Sequence, residues 1–235
     1  MRKRILIYSI LAFVGAVLIA ANPVNRMVLK VGFLVGLAIS WSGFLYFSWK
    51  TKAARYAVLS IPVVILLFLI LPGRDIDIPK LRKDYVQRVK AFEGTEYYWG
   101  GENSRGIDCS GLPRRALQDA LLSYGIRHLN GRPIRAALEQ WWFDASAKAL
   151  SEGYREYTTP VGVKGSVAEM NYEGLTEGDM AVTFNGVHVL VYLEGNQWIQ
   201  AEPGIKKVIT LDGKKDENTW FGIETNVYRW KILEP

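Results

Sequence analysis

The chain has 235 residues, with 29 lysines and arginines, 23 aspartates and glutamates, and a net charge of +6. Residues 1–73 contain eight basic and no acidic residues (+8), whereas residues 74–235 contain 21 basic and 23 acidic residues (−2). The basic surplus thus belongs to the N-terminal third. The rest of the chain lacks a basic tract dense enough for nucleic-acid binding.

The N-terminal third contains three apolar segments, at about 5–21, 28–49 and 56–72. Each has about 17 to 22 residues and only one carries a charge, Lys30, near its start. This length crosses a hydrocarbon core at about 1.5 Å per residue. A soluble helical bundle would need polar faces that these segments lack. The sequence therefore predicts a membrane anchor at 1–73 with three transmembrane helices, and a contact with the lipid bilayer.

The distribution of basic residues predicts the orientation of this anchor. The N-terminus and the second connection together carry six lysines and arginines, and the first connection carries two. The side with more positive charge is expected to be cytoplasmic, so three crossings deliver residues 74–235 to the extracytoplasmic side. Ala20-Ala21 is also a small-residue pair at which a signal peptidase could cut. Ile19 makes that site mediocre, and we expect an uncleaved, multi-pass anchor in the cell (inner) membrane.

The remaining residues, 74–235, have the size of one domain. Apolar periodicity predicts helices at 81–92, 110–124 and 134–150. After Gly178 the pattern changes to short strands rich in β-branched and aromatic residues, separated by Asn-Gly, Gly-Asn and Asp-Gly turns. Helices followed by an antiparallel sheet indicate an α+β fold.

The only cysteine, Cys109, lies in GIDCSGLP at residues 106–113. A lone cysteine cannot form an intramolecular disulfide, so it is either a small buried hydrophobe or a reactive thiol. Pro113 is tolerated in a first helical turn, which places Cys109 at the start of the predicted helix. Unpaired N–H groups and the helix dipole favour a thiolate there.

A cysteine nucleophile also needs a base and a group that orients the base. The chain has two histidines: His128 lies in a polar turn and is expected to be an exposed loop residue, whereas His188 begins a strand after Asn185-Gly186. The next strand carries Gln200, whose side-chain carbonyl can accept a hydrogen bond from an imidazole. Glu202, on the same strand, is the competing candidate. Two histidines, one cysteine and no clustered spacing predict no metal site, and no cofactor is expected.

Four segments resemble the NlpC/P60 family of cell-wall cysteine peptidases: GTEYYWGG, GIDCSGL, LTEGDMAVTF and HVLVYLEGNQWIQA. The resemblance covers roughly residues 80–118 and 174–203. It implies a papain-like fold of helices packed on an antiparallel sheet, and hydrolysis of peptidoglycan stem peptides, typically at a γ-D-glutamyl bond. It favours the reactive thiol over the buried hydrophobe.

By position, the resemblance implies that Cys109 is the nucleophile, His188 the base and Gln200 the third residue, where the family more often has histidine. Tyr97 is similar to a tyrosine near the oxyanion site, with Tyr98 as its competitor one residue away. The resemblance also implies that Asp108 and Ser110 hold the amine end of the substrate.

The chain departs from the family pattern in the long insertion at about 119–173, which could form a lid or a protein-partner surface, or add to the core. Two other functions remain open. One is a papain-like acyltransferase or thioesterase that acts on lipid. The other is a catalytically silent, membrane-anchored binding protein.

Overall fold

The computed structural model describes residues 2–234, and residues 2–70 contain three long apolar helices. The seven α-helices of the described chain are α1 Arg2–Ala21, α2 Met27–Ser48, α3 Lys52–Ile70, α4 Ile78–Lys90, α5 Gly111–Arg127, α6 Gly131–Trp142 and α7 Ala147–Ser151. α1, α2 and α3 are long and apolar enough to cross a membrane, as the sequence predicts. α1 and α2 pack closely because small residues face each other: Ser40 donates a hydrogen bond of 3.2 Å to the Ser9 carbonyl, and Gly36 lies against Ala16.

The eight strands form a hairpin and a six-stranded sheet. They are β1 Glu102–Asn103, β2 Gly106–Ile107, β3 Thr158–Ser166, β4 Met180–Thr183, β5 Val189–Tyr192, β6 Gln197–Glu202, β7 Lys207–Asp212 and β8 Glu224–Trp230. The large sheet is antiparallel throughout, in the order β3-β8-β4-β5-β6-β7. Helices packed on an antiparallel sheet confirm the predicted fold class.

The main core lies between the sheet and α4 and α5, with Leu81, Tyr85, Leu117 and Leu121 fully buried. A smaller cluster, which includes Trp198, covers the opposite face of the sheet. Alternation along β5 and β6 divides the strand residues between the two cores. Val191 and Ile199 point into the main core, and Leu190 and Trp198 into the smaller one.

The observed helices and strands differ from the predicted ones in two places. The helix expected at 134–150 is two helices, α6 and α7, because the chain is extended at Phe143 and begins a new helix capped by Ser146. The predicted insertion at 119–173 also supplies β3, which pairs with β8 at the edge of the sheet. The sequence pattern left this strand unassigned because its proline and two glycines obscure the strand periodicity.

The three N-terminal helices are joined to the rest of the molecule at two points. The first connection, residues 22–26, forms an antiparallel bridge from Val24 to Gly101 beside β1. The end of α3 meets α6, where Gly131 donates its backbone N–H to the Pro72 carbonyl at 3.1 Å. The end of α1, the start of α2 and the end of α3 therefore all lie on the side of the α+β domain.

Candidate active site

Cys109 lies immediately before α5, in a tight loop held by the side chain of Asp108. One oxygen of that carboxylate accepts hydrogen bonds from the Gly111 N–H (2.6 Å) and the Ser110 hydroxyl (3.0 Å), and the other accepts from the Gly100 N–H (2.9 Å). Asp108 therefore caps the helix and fixes the backbone on both sides of the cysteine. Only 8% of Cys109 is exposed.

His188 lies just before β5 and is fixed from its backbone side by Thr183. The Thr183 hydroxyl oxygen accepts the N–H groups of Val187 (3.1 Å) and His188 (2.9 Å). The expected two-residue Asn185-Gly186 turn is a longer loop, from 184 to 188, because the β4–β5 pairing ends with Val182 opposite Val189.

The imidazole of His188 bonds to Gln200, with Nε2 and Oε1 separated by 2.6 Å. The amide oxygen can only accept, so this bond assigns the proton to Nε2 and leaves Nδ1 as the free acceptor. The Gln200 amide nitrogen donates in turn to the Asn218 side chain at 3.2 Å. Glu202, the competing candidate, instead accepts from the Trp220 indole at 3.1 Å and from the backbone N–H of Ile205.

Cys109 meets the histidine segment at the end of the sheet, where β5 begins. Its Sγ lies 3.7 Å from the Val187 carbonyl oxygen. The sulfur therefore contacts the residue that directly precedes His188.

Two residues beside His188 were missed by the sequence analysis, Asn218 and Trp220. Trp220 stacks on the imidazole, with ring centroids 4.0 Å apart and an angle of 15° between the planes. Asn218 caps the short 3-10 helix Thr219–Gly222 that carries this tryptophan, and accepts the Trp220 N–H at 3.0 Å. The sequence signal was weak, since an asparagine before a tryptophan in a loop has many structural roles.

Burial sets the protonation states of the Cys109 thiol and the His188 imidazole. It raises the pKa of the Cys109 thiol to about 12, with the Asp108 carboxylate adding to the effect, although N–H groups of Val189, Ser110 and Cys109 act in the opposite direction. Burial also lowers the pKa of His188 to about 4, against the effect of its bond to Gln200. At neutral pH the resting pair is therefore a thiol and a neutral imidazole. The thiolate expected from the helix start is outweighed by desolvation.

The remaining predicted site residues lie around this pair. Tyr97 is half-buried, and burial, followed by the nearby charges of Cys109 and Asp108, raises its pKa to about 12. Tyr98 is half exposed and packs on Gly106, so Tyr97 is the tyrosine closer to the sulfur. Ser110 is buried and donates to Asp108.

His128 lies at the other end of α5, about 25 Å along the helix from its start at 1.5 Å per residue. There it stacks on Tyr124 and contacts the Lys80 ammonium. It is therefore not part of the site. Within residues 2–234, no group of three or more histidine, cysteine, aspartate or glutamate side chains is arranged to hold a metal ion.

A family model, described as the NlpC/P60 family, matches residues 94–220. This range covers more than half of the chain and contains Cys109, His188 and Gln200. The chain belongs to the NlpC/P60 family. No curated protein sequence matches it.

Solved NlpC/P60 structures are similar to the chain at low sequence identity. The P60 domain of an antigen from M. avium subspecies paratuberculosis is 17% identical with a TM-score of 0.41, covering 68% of this chain and 100% of that domain. The NlpC/P60 domain of the peptidoglycan hydrolase SagA is 21% identical with a TM-score of 0.34, covering 63% and 96%. The peptidoglycan hydrolase RipB from Mycobacterium tuberculosis is 20% identical with a TM-score of 0.39, covering 68% of each chain.

Proposed function

We propose that this NlpC/P60 protein is a cysteine peptidase that hydrolyses amide bonds of peptidoglycan stem peptides. The observation that carries the proposal is the hydrogen-bonded His188–Gln200 pair, whose flanking backbone contacts the Cys109 sulfur. A nucleophile, a base and a group that fixes the base's tautomer are the parts that acyl transfer needs. SagA and RipB, which are peptidoglycan hydrolases, indicate the class of substrate.

The protonation states suggest how the first step proceeds. The Cys109 sulfur attacks the amide carbonyl carbon while its proton moves to Nδ1 of His188, so the sulfur is charged only as the bond forms. The Nε2–H group of His188 stays hydrogen-bonded to Gln200, and this bond holds the imidazole ring in place. The backbone N–H of Cys109, together with Tyr97, stabilises the developing oxyanion.

Two proton transfers through His188 complete the reaction. The imidazolium donates its proton to the leaving amine, and the C–N bond breaks to give a thioester on Cys109. The neutral imidazole then takes a proton from water, whose oxygen attacks the thioester carbonyl. The carboxylic acid leaves, and the sulfur recovers its proton from His188.

The family resemblance suggests the position of the bond, after a γ-D-glutamyl residue. In this proposal Asp108 and Ser110 lie near the amine end of the substrate. Each already has a structural partner, yet a carboxylate can accept further hydrogen bonds from an ammonium group.

We also propose that residues 1–73 anchor the enzyme in the cell membrane, with residues 74–235 as the peptidase domain on the extracytoplasmic side. Arg2, Lys3 and Arg4 lie at the end of the helical bundle away from the domain, together with the basic connection between α2 and α3. This arrangement agrees with the rule that cytoplasmic segments carry the positive charge. Since Cys109 is the only cysteine, single cysteines placed at Thr51 and Glu194 in a Cys109→Ala chain can test it. A membrane-impermeant maleimide added to intact cells should label position 194 and not position 51, and the reverse pattern would contradict the proposed orientation.

The function is tested by incubating the full-length protein, in detergent or nanodiscs, with purified muropeptides and identifying the products by mass spectrometry. We expect one new amine and one new carboxylate per cleavage, and no cleavage by Cys109→Ala protein of unchanged circular dichroism. Cleavage by that variant would overturn the proposed role of Cys109. Activity on acyl thioesters alone would favour the lipid acyltransferase or thioesterase, and the absence of any activity would favour the silent binding protein.

A further inference from the structure

The loop that carries the nucleophile is attached to the connection between the first two apolar helices. Besides the bridge from Val24 to Gly101, the Asn25 N–H donates to the Gly100 carbonyl at 3.2 Å, and the Glu102 N–H donates to the Pro23 carbonyl at 2.9 Å. These bonds make the connection an additional strand-like partner of the catalytic loop.

The same glycines hold the backbone next to Cys109. The Gly100 N–H donates to the Asp108 carboxylate, and the Asp108 N–H donates to the Gly101 carbonyl at 3.0 Å. Bridged residues lie about 5 Å apart and consecutive Cα atoms about 3.8 Å, so Cys109 is within about 15 Å of Val24. Val24 lies between the last residue of α1 and the first of α2, which in the proposed anchor is the level where those helices leave the hydrocarbon core.

A network of charged side chains, buried except at Asp144, holds this junction together. Lys30, in the first turns of α2, is 2% exposed and pairs with Asp144 at 2.7 Å. Asp144 also pairs with Arg114 at 3.1 Å, and Arg114 pairs with Glu102 at 3.4 Å. The network links the anchor, the segment after α6, helix α5 and strand β1. Removing one partner from such a network is costly, so the junction is expected to stay closed.

The second attachment prevents the domain from swinging away from the bundle. Only seven residues separate α3 from α4, and their backbone is bound to the domain. The Arg74 N–H donates to the Asn130 side chain at 3.0 Å, and the Arg135 guanidinium donates to the Leu71 carbonyl at 2.8 Å. Two attachments at the same bundle end fix the height of the site above the membrane.

The surface around the junction is suited to a lipid-water boundary. Trp99, next to Gly100, is 74% exposed, and tryptophans are enriched at this depth of a bilayer. A cavity of about 310 Å³ lies between the bundle and β1. Apolar side chains of Ile19, Leu29 and Phe33 line one part of it, and Asn25 and Glu102 the other. Such a mixed lining is suited to an amphiphile.

We propose that the enzyme acts on stem peptides that are joined to a membrane lipid, at the level of the headgroups, and not on the distant wall polymer. The inference rests on the proposed function and specifies the class of substrate that the peptidase cleaves. The short, doubly attached junction confines the Cys109 site to a layer close to the bilayer, where a lipid-carried glycopeptide presents its peptide. Polymeric wall material farther from the membrane lies beyond its reach.

The test compares three forms of one muropeptide, with full-length protein in vesicles of phosphatidylethanolamine and phosphatidylglycerol. The first is free, the second is coupled directly to a phosphatidylethanolamine headgroup, and the third is coupled through a rigid 30-base-pair DNA duplex about 100 Å long. The two coupled forms are equally confined to the membrane. We expect the directly coupled form to be cleaved faster than the duplex-coupled form by on the order of tenfold.

The outcomes separate the two proposals. Equal or faster cleavage of the duplex-coupled form, or cleavage of the free form alone, overturns the lipid-carried substrate while leaving the peptidase intact. Cleavage of none of the three overturns the proposed function itself.

A second measurement tests the geometry without relying on activity. In a Cys109→Ala chain, a fluorophore is placed at Trp99→Cys or, as the control, at Glu194→Cys. Glu194 is exposed at the end of β5 away from His188. Lipids with nitroxide headgroups should quench the fluorophore at position 99 strongly and the one at position 194 weakly. Equal quenching at the two positions would overturn the inferred height of the site.

Discussion

The indole of Trp220 covers one face of the His188 imidazole, while the same indole N–H donates to Glu202. The tryptophan thus shields the histidine from water and at the same time keeps the Glu202 carboxylate bonded elsewhere. This explains why a strand with two candidate acceptors presents only Gln200 to the imidazole.

Removing the Trp220 indole should change the pKa of His188. In Trp220→Ala, water reaches His188, so its pKa should rise from about 4 toward the ordinary 6.5. The protonated ring cannot accept the thiol proton, so the acid limb of the kcat/KM profile should move upward with the pKa. Trp220→Phe keeps a stacked ring and should keep the profile close to that of the native protein. NMR titration of the two histidines provides the direct measurement, and an unchanged His188 pKa in Trp220→Ala would show that the indole does not shield the ring.

Gln200 should act by orienting His188 and not by carrying charge. Gln200→Ala leaves Nε2–H without its acceptor, and we expect kcat to fall about tenfold, or about 1.4 kcal/mol in activation free energy, with little change in KM. Gln200→Glu restores an acceptor and adds a negative charge, so it should raise the pKa of His188. A Gln200→Ala variant with unchanged kcat would remove Gln200 from the proposed mechanism.

The thiol should be unreactive at rest. Because burial raises the pKa of Cys109 to about 12, its alkylation by iodoacetamide should be slow at pH 7 and should increase continuously with pH beyond 9. The measurement is unambiguous, since the chain has no other cysteine. A fast rate that is constant between about pH 5 and 8 would instead indicate a preformed thiolate–imidazolium pair.

The junction with the anchor should depend on Lys30. Lys30→Met removes one partner of Asp144 and should weaken the junction by about 2 kcal/mol. Amide hydrogen exchange should then increase in residues 22–26 and 141–146. Lys148→Met, which changes an exposed lysine on the nearby α7, is the matched control and should leave both segments unchanged. Equal exchange in the two variants would show that the ion pair does not hold the junction.

Much of this architecture could be predicted because it depends on local patterns. Long apolar runs specify membrane-length helices, and period-two alternation with Asn-Gly and Gly-Asn turns specifies the strands after Gly178. The triad candidates Cys109, His188 and Gln200 followed from a helix start, a strand start and a neighbouring strand. The resemblance to the family added the order of these segments.

What could not be predicted depends on contacts between distant segments. Gln200 lies opposite Leu190 in the β5–β6 register, diagonal to His188, and its bond to the imidazole depends on a loop geometry that no local pattern encodes. Lys30 was interpreted as a charge of the first connection, but its partner is more than a hundred residues away. The protonation of Cys109 was misjudged for the same reason, since the sequence shows the helix start and not the burial.

The burial of the thiol has a consequence for the lifetime of the protein on the extracytoplasmic side that we propose for it. Peroxides and small disulfides react with thiolates far faster than with thiols, and burial, which raises the pKa of Cys109 to about 12, favours its thiol form at neutral pH. The chain also offers no second cysteine with which an oxidised sulfur could form a bridge. In the proposed oxidising compartment, a buried Cys109 is therefore expected to stay reduced.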